Sequence, residues 1–554
     1  MKAKTSLISL ALAVLLLAGP AWSAFAESAP TIIPEVVSKT GMVASAHPLA
    51  SQVGLDILKA GGNAVDAAVA TAFANGVVEP NANGLGGEGY IVIYLKGQNK
   101  VTSIDYRSRA SLRDSKGETW PAEGHRAVAV PGTVAGLSMA LKQYGTMSLA
   151  QVTEPAAKLA EAGFVVSPTL AGVISDNFKR AQPNAYLMSI IAPDGLPLEA
   201  GDTCKNPDLA KTLRAIGKDG ADAFYKGWIA KAIAADMKAN NGLIDENDLA
   251  QYKAIEREPA KGTYRGYDIV SAPAPVGGFL LIQSLNMIEN YDVKSLGFDS
   301  AARLHLFAEV FARAFDDYYN VLGDPDFVDV PMKALTSKGY AKAKAASIKL
   351  DSMTSTYEKV NVNSEHWSTT HMSVVDKDGN MVALTQTLSS FYGAAVAVPG
   401  TGVILNNEMG NFNKKTGSAA YAPGKRMNTT IAPTLVYKDG KAFATLGTPG
   451  AMRIIPTLAQ LVSDLIDYDM GIQEAIEAPR MYCTFLQGAG KTTMEIEGSL
   501  YSEKTINDLK AMGYKIKNYD KRDLYFGGVQ AIIIKSGMLH GGADPRRDGA
   551  VLGY

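Results

Sequence analysis

Apolar residues recur at helical spacing through PLASQVGLDILKAGG (residues 48–62), and the closing Gly-Gly is a stop signal. NAVDAAVATAFANGVV follows, apolar at almost every position, which predicts a second helix buried against a sheet. YIVIYLKGQNKVTSIDY (90–106) reads as two strands around a turn. Residues 148–256 carry helical periodicity with Gly and Pro breaks, and residues 300–320 read as one long helix. From about residue 366 the texture changes to strands. HMSVV, DKDGN and MVALTQT make a hairpin with Asp-Gly in its turn. GVILN, PTLVYK, AFATLG and QAIIIK predict further strands, with a helix, PTLAQLVSDLIDYD, between the last two. DKDG resembles the start of a calcium loop, but the Gly and Glu that such a loop needs do not follow. Helices and antiparallel hairpins mix in both halves, so the expectation is α+β with layered sheets rather than regular βαβ alternation.

Composition narrows the picture. The chain has 554 residues, 47% of them hydrophobic, and a formal net charge of −1. Near-neutrality gives no electrostatic footprint for nucleic acid or an anionic membrane as partner. Residues 1–26 read as a signal peptide: Lys2 and Lys4, an apolar run from Leu7 to Ala18, then Ala24-Phe25-Ala26 as a small-x-small cleavage site. A periplasmic or secreted protein starting near Glu27 is the expectation, with no stable membrane anchor, because no Cys follows the apolar run and no later segment is apolar enough to span a bilayer. Cys204 and Cys483 could pair in an exported protein or be buried thiols. The six histidines (His47, His125, His305, His366, His371, His540) form no metal-ligand spacing, so no metal is expected.

Two motifs tempt and fail. GLGGEG (84–89) satisfies G-x-G-x-x-G but follows a helix and precedes a strand, the reverse of the dinucleotide context, and reads as a tight Gly loop. GAGKTT (488–493) imitates a P-loop, but the first Gly of that pattern would fall on Phe485, so it reads as a surface turn. No G-x-S-x-G elbow occurs.

Ser368-Thr369-Thr370 opens the HMSVV hairpin. A threonine hydroxyl is a poor nucleophile unless a base sits beside it. One solution makes the threonine a chain N-terminus, whose α-amine, with an unperturbed pKa of about 7.7–8.0, takes the proton. In mid-sequence this requires the hydroxyl to attack the peptide bond before it, so that a Thr, Ser or Cys begins a core strand. Ser368 and Thr369 meet that description; so would a plain β-branched strand opening.

Ordered segments along nearly the whole chain decide between these. GMVASAHPLASQVGLDILKAGGNAVDAAVA, the Gly-rich loop, DYRSRA, TTHMSVVDKDGN, LNNEMGNF, KRMNTTIAPTLV, GTPGAMRI and ADPRRDGAVLGY together resemble the γ-glutamyltranspeptidase (glutathione hydrolase) family of N-terminal-nucleophile hydrolases. The resemblance implies a four-layer αββα sandwich formed by two subunits from one precursor. The cut would fall between Ser368 and Thr369, giving a large subunit 27–368 and a small catalytic subunit 369–554. It implies no cofactor.

Site residues carry over position by position. Thr369 would be nucleophile and, through its amine, base; Thr387 would support that amine and assist the cut. Arg107 matches the arginine that clamps a donor α-carboxylate, for which a planar, permanently charged fork is suited; by spacing alone it could equally pair with Asp105. Thr429 and Thr430 match a hydroxyl pair on the same carboxylate, with Thr where Ser is usual. Gly450 and Ala451 match a Gly-Gly oxyanion hole, whose work is done by backbone N–H groups.

The half of the pocket that should hold the donor ammonium departs from the family. Glu408 matches an accepted choice, but Asn411 stands where Asp is usual and Ser389 where Asn is frequent. A neutral amide loses a charge-assisted bond to an ammonium. The expected function is hydrolysis or transfer of γ-glutamyl amides such as glutathione through a γ-glutamyl-threonine ester, with water or an amino acid or peptide as acceptor. One alternative is a glutaryl or cephalosporin-type dicarboxylic amide acylase of the same superfamily. Another, from a different class, is an unprocessed, inactive relative acting as a binding protein. Only NKKTGSAAYAPG lies between Phe412 and Lys425, without the lid loop of some family members, so an open cleft with easy access for bulky acceptors is expected.

Overall fold

Two seven-stranded antiparallel sheets face one another in the computed structural model, which describes residues 34–115, 119–353, 368–412 and 417–554. The first sheet runs, edge to edge, Ala550–Gly553, Met42–Ser45, Thr370–Val375, Met381–Thr387, Glu88–Leu95, Lys100–Tyr106 and Ile255–Arg257. The second runs Val36–Ser38, Met538–Ala543, Gln530–Lys535, Lys441–Gly447, Thr434–Lys438, Tyr267–Ser271 and Ala260–Tyr264. The expected signal peptide, residues 1–26, lies outside the described residues, as do His366 and most of the segment before Ser368.

Three apolar layers hold four structural layers together. Helices Pro48–Lys59, Ala64–Val78 and Thr133–Tyr144 cover the outer face of the first sheet, in one apolar layer with Ile91, Ile93, Met372, Val374, Val382 and Leu384. Between the sheets lie Met42, Val92, Tyr94, Met381, Leu435 and Ile532. Helices Gly278–Ile288, Ala301–Asn320 and Ile454–Ile466 cover the second sheet. The result is the expected αββα order. Because both faces of each sheet are covered, strand residues of either parity are apolar, and the strands read as continuous runs.

Parity still assigns direction. Ile91 and Ile93 point to the helices while Val92 and Tyr94 point to the other sheet. In the hairpin, Met372, Val374, Val382 and Leu384 face the helices; Val375, Met381 and Ala383 face the second sheet. Odd-numbered positions of these two strands therefore turn inward, which includes Thr369 and Thr387 where the side-chain direction continues.

Local signals explain why these elements sit where they do. Asn63 caps the Ala64–Val78 helix, and Asp66 returns the bond in a capping box. Asp376, in the hairpin turn, also accepts from the Ala64 N–H at 2.9 Å, so the turn that sets the hairpin register also fastens the helix behind it. The Gly-rich loop is tight because backbones cross there. A Cβ on Gly86 would lie 2.1 Å from the Ile404 carbonyl oxygen, and one on Gly87 would lie 2.3 Å from that of Thr387. GAGKTT forms a turn with Gly488 and Gly490 at positive φ. Both cysteines are free and buried, Cys204 in the outer layer of the first sheet and Cys483 in that of the second. Among the described residues no helix is long and apolar enough to cross a membrane.

Candidate active site

Four neighbouring strands of the first sheet bring four side chains into one row. Thr370 pairs with Gln386, so the next position sets Thr369 opposite Thr387. Thr387 pairs with Glu88. Gly89 pairs with Tyr106, so Glu88 stands opposite Arg107. All four turn toward the second sheet, where its strands have ended and loops begin.

Thr369 donates its hydroxyl hydrogen to Thr387 Oγ1 at 2.9 Å. Thr387 Oγ1 also accepts the Ser389 N–H at 2.8 Å and lies 3.2 Å from Ser368 Oγ. With both lone pairs engaged, its own hydrogen is directed at Ser368. The Thr369 proton thus already leans on an acceptor, and the Ser368 hydroxyl is in the same knot. Thr369 is 4% exposed and adopts φ 111°, a region that β-branched residues avoid. Such backbone costs of order 1–3 kcal/mol. Cutting the bond before Thr369 abolishes that dihedral and releases the strain.

The backbone of Thr369 is held from two sides. Its N–H donates to Ala82 O at 3.2 Å, and its carbonyl accepts from Arg547 Nη1 at 2.8 Å. Arg547 lies 3.7 Å from Glu79, which accepts the Thr370 hydroxyl at 2.6 Å. Burial pushes the Glu79 carboxyl up to about 7, against the pull of Arg547 and Thr370. Burial likewise lowers Arg547. Both partners therefore shift toward their neutral forms, and desolvation outweighs their mutual attraction.

On the Thr370–Val375 strand, His371 bridges Thr385 Oγ1 at 2.8 Å and Ser373 Oγ at 3.1 Å. Ser373 in turn donates to Gln530 O of the second sheet at 3.0 Å. Burial lowers His371 to about 3, so the ring is neutral and structural. Gly447, the last residue of a second-sheet strand, abuts this ring; from it the chain runs through Gly450 at φ 131° to Ala451 at φ 51°. Thr430 donates to Ala451 O at 2.6 Å and ties that loop down. Thr429 is half-buried, bridged to Val276.

Arg107 is wholly buried. It contacts Glu88 directly, and its Nη2 donates to Glu408 Oε2 at 3.0 Å, while Nε and Nη2 share Met427 O at 3.3 and 3.2 Å. Asn411 donates to the same Glu408 oxygen at 2.6 Å. The alternative partner Asp105 takes only the Arg107 backbone N–H, at 2.9 Å, and its carboxylate goes to Arg257 at 2.8 Å.

A family model described as gamma-glutamyltranspeptidase matches residues 50–554. The chain belongs to the gamma-glutamyltranspeptidase family. It is 41% identical over 548 residues to the glutathione hydrolase proenzyme of Escherichia coli, covering 94% of this chain and 93% of the relative. It is 40% identical over 551 residues to the acylase ACY 1 proenzyme of a Pseudomonas strain, covering 94% and 97%. The crystal structure of cephalosporin acylase from Bacillus halodurans superposes with a TM-score of 0.88 at 29% identity, over 96% of this chain and 99% of that one.

Set against that family, the expected site residues fall into three groups. Thr369, Thr387, Ser368 and Ser389 form one bonded cluster, while Arg107, Glu408 and Asn411 form a second. Gly450, Ala451 and Thr430 make a third segment, tied together by the Thr430 hydroxyl. Arg107 and Glu408 are 0% and 1% exposed; residues 413–416 of the short segment on which the expected open cleft rests lie outside the described residues. Sequence reasoning passed over Glu88, Glu79 and Arg547. Glu88 was legible as the lone acid opening the apolar strand EGYIVIYL, and Arg547 as part of ADPRRDG; neither pattern names a partner.

Proposed function

We propose that this member of the gamma-glutamyltranspeptidase family is a self-processing amidase with Thr369 as its nucleophile. In the precursor, Thr369 Oγ adds to the Ser368 carbonyl carbon. The Ser368–Thr369 C–N bond breaks, the nitrogen takes the hydroxyl proton, and an ester of Ser368 remains on Thr369. Water hydrolyses that ester, leaving a Ser368 carboxylate and a free Thr369 α-amine, in a 369–554 chain that stays with the 27–368 chain. The mature Thr369 then attacks the γ-amide of a γ-glutamyl donor such as glutathione. Its amine carries the proton to the leaving amine, and water or an amino acid or peptide takes the acyl group from the ester. Backbone N–H groups of Gly450 and Ala451 would face the oxyanion, and Thr429 and Thr430 the far end of the donor. Export by the 1–26 leader places this chemistry in the periplasm or outside the cell.

The observation that carries the reading is the 2.9 Å bond from the Thr369 hydroxyl to Thr387 across the hairpin. The test is a denaturing gel with intact mass on purified wild type and Thr369→Ala. Wild type should give two chains, the smaller about a third of the whole and beginning at Thr369, and the variant one. A wild type that stays whole leaves the threonine without a free amine, and the chain would then be a binding protein.

A second reading keeps the mechanism and changes the acyl group to glutaryl or a related dicarboxylic amide. The neutral Asn411 beside Glu408 favours it, as does the equal likeness to a glutathione hydrolase and to an acylase. Rates on γ-glutamyl and glutaryl anilides separate the two.

A further inference from the structure

The fold holds the nitrogen of Thr369 as well as its hydroxyl. Thr369 lies one residue before the Thr370–Val375 strand, so its N–H has no partner in the sheet ladder. It donates to Ala82 O at 3.2 Å. The Leu388 N–H, one residue past Thr387 on the paired strand, donates to the same oxygen at 3.0 Å. One carbonyl thus closes both strands of the hairpin at the end that carries the nucleophile. Ala82 is wholly buried, in the turn that follows helix Ala64–Val78.

Asn83 fixes that turn. Its side chain is buried, and Nδ2 donates to Asn75 O and Glu79 O at the helix C-terminus, each at 3.3 Å. Its Oδ1 accepts from Gln386 Nε2 at 2.6 Å. A buried asparagine can sit at a helix end simply to satisfy carbonyls. Here, however, Asn75 O already takes the Glu79 N–H at 2.8 Å, Glu79 O takes the Ala82 N–H at 3.0 Å, and Gln386 Nε2 also reaches Ala72 O at 2.9 Å. Each partner keeps a bond without Asn83, so satisfying them does not require it. What this side chain adds is a tie from the helix end to the residue beside Thr387, with the Ala82 carbonyl between.

We infer that Asn83 is a positioning residue of the acyl-transfer reaction: it sets the Ala82 carbonyl, which takes one hydrogen of the Thr369 α-amine and so orients the amine's lone pair. The inference rests on the amidase reading above. A neutral amine carries two hydrogens and one lone pair, and it turns about its bond to Cα through three staggered positions. A lone pair facing Oγ can take the hydroxyl proton. A fixed acceptor holds one hydrogen and confines the lone pair to the other two positions, one of which faces Oγ. The same carbonyl holds the peptide nitrogen that must receive the proton during the cut. Asn83 touches neither the donor nor the reacting atoms, so its effect falls on turnover and cutting and not on donor binding.

The test compares wild type with Asn83→Leu, which keeps the size and removes all three bonds, and with Asn83→Ser, which keeps one hydroxyl in the turn. The donor is whichever of γ-glutamyl and glutaryl 4-nitroanilide wild type turns over faster, and rates are read well below every melting temperature. Processed N83L should lose at least about tenfold in kcat, with KM within about twofold of wild type, and its precursor should be cut at least about tenfold more slowly. A smaller loss in kcat, or a loss carried by KM, overturns the inference. A folded N83L precursor that is never cut is the expected result at its extreme. If N83L does not fold, N83S decides: a loss of at least about threefold in kcat at unchanged KM supports the inference, and a smaller one overturns it. If neither variant folds, a crystal structure of processed wild type decides, since Thr369 N farther than about 3.5 Å from Ala82 O overturns the inference and a retained bond supports it. A wild type that is never cut removes the amidase reading itself, a different outcome from a cut wild type matched by its variants.

Discussion

Arg547 donates to the carbonyl oxygen of Thr369 at 2.8 Å and lies 3.7 Å from the Glu79 carboxylate. The segment just before the C-terminus therefore fixes the backbone of the residue on which the proposed chemistry depends, and the acid that balances it comes from the end of the Ala64–Val78 helix. Replacing Arg547 by Met leaves a buried carboxylate and a carbonyl without their partner. The expected cost is about 3 kcal/mol of stability, by analogy with broken buried pairs, and processing slowed by at least about tenfold in the fraction that folds. Urea unfolding and a time course of chain cutting measure the two. An R547M chain cut at the wild-type rate would show that the contact does not position Thr369.

Glu79 makes stability depend on pH in a defined direction. Its carboxyl is raised from 4.5 to about 7, first by burial, with Arg547 and the Thr370 hydroxyl opposing and Asp548 adding a smaller push upward. The folded protein therefore holds a proton that the unfolded chain has released between those values. This contribution to stability is complete below pH 4.5 and is lost as pH rises to about 7. At 1.36 kcal/mol per unit, the loss is about 3 kcal/mol. Glu79→Gln cannot titrate, so its stability relative to wild type should rise by that order between pH 4.5 and 7.5. Parallel pH profiles of unfolding free energy for the two proteins would refute this.

His371 and Gly447 show how the two sheets are registered beside the site. A Cβ at Gly447 would lie 2.3 Å from the His371 ring, which is held on both nitrogens by Thr385 and Ser373. Gly447→Ala must therefore push the ring, the strand carrying Thr369, or the loop leading to Gly450. Overpacking of this kind costs about 1–3 kcal/mol, and turnover should fall with it. Thermal melts with a kcat measurement check this; a G447A protein as stable and as active as wild type would mean that the sheets part freely there.

Ala451 gives the opposite sign. Its φ of 51° is a left-handed conformation that costs an L-residue roughly 1–2 kcal/mol. Glycine removes that cost while loosening the unfolded chain by about 0.5–1 kcal/mol. Ala451→Gly should thus be neutral or stabilising by up to about 1 kcal/mol, with the same backbone N–H on offer and turnover retained. A loss above about 1 kcal/mol in urea unfolding would contradict it.

How much of this was legible before the structure follows from how local each signal is. The hairpin was readable because Asp-Gly fixes the turn, and the turn fixes which residues of HMSVV and MVALTQT face each other. The Thr369–Thr387 contact follows from that register alone. The helices at 48–59, 64–78 and 301–320 were readable from periodicity and caps, and the Gly-rich loop from its place between helix and strand. The Thr387–Glu88–Arg107 part of the row was not readable. It needs the register between strands nearly 300 residues apart in the chain, and strands buried on both faces show no alternation to reveal which side chains turn inward. Arg107 was recognised by its motif, but its bond to Glu408 depends on burial and on a loop, LNNEMGNF, folded across the sheet end by Asn406, which binds Gly86 O and Ala129 O at 2.8 and 2.9 Å.

Thr387 offers the sharpest test of the proposed cut. Its hydroxyl oxygen accepts from Thr369 and from the Ser389 N–H, and its hydrogen is directed at Ser368. Valine has the same shape without the oxygen, so Thr387→Val removes the acceptor for the nucleophile's proton while leaving the hairpin packed. Processing should slow by about 10²-fold or more, the usual scale for losing a positioned proton acceptor. Stability should fall by only about 1–3 kcal/mol for the buried groups left unbonded. Thr387→Ser keeps the oxygen and loses a methyl, so it should restore cutting to within about tenfold of wild type although its core contact is poorer. Rescue by serine separates a role in proton transfer from one in packing, since a packing role would rank valine above serine. The readout is the half-time of conversion of purified precursor to two chains, with melting temperatures beside it. A valine variant that cuts as fast as wild type would remove Thr387 from the mechanism and leave the Thr369 hydroxyl without an identified proton acceptor before cleavage.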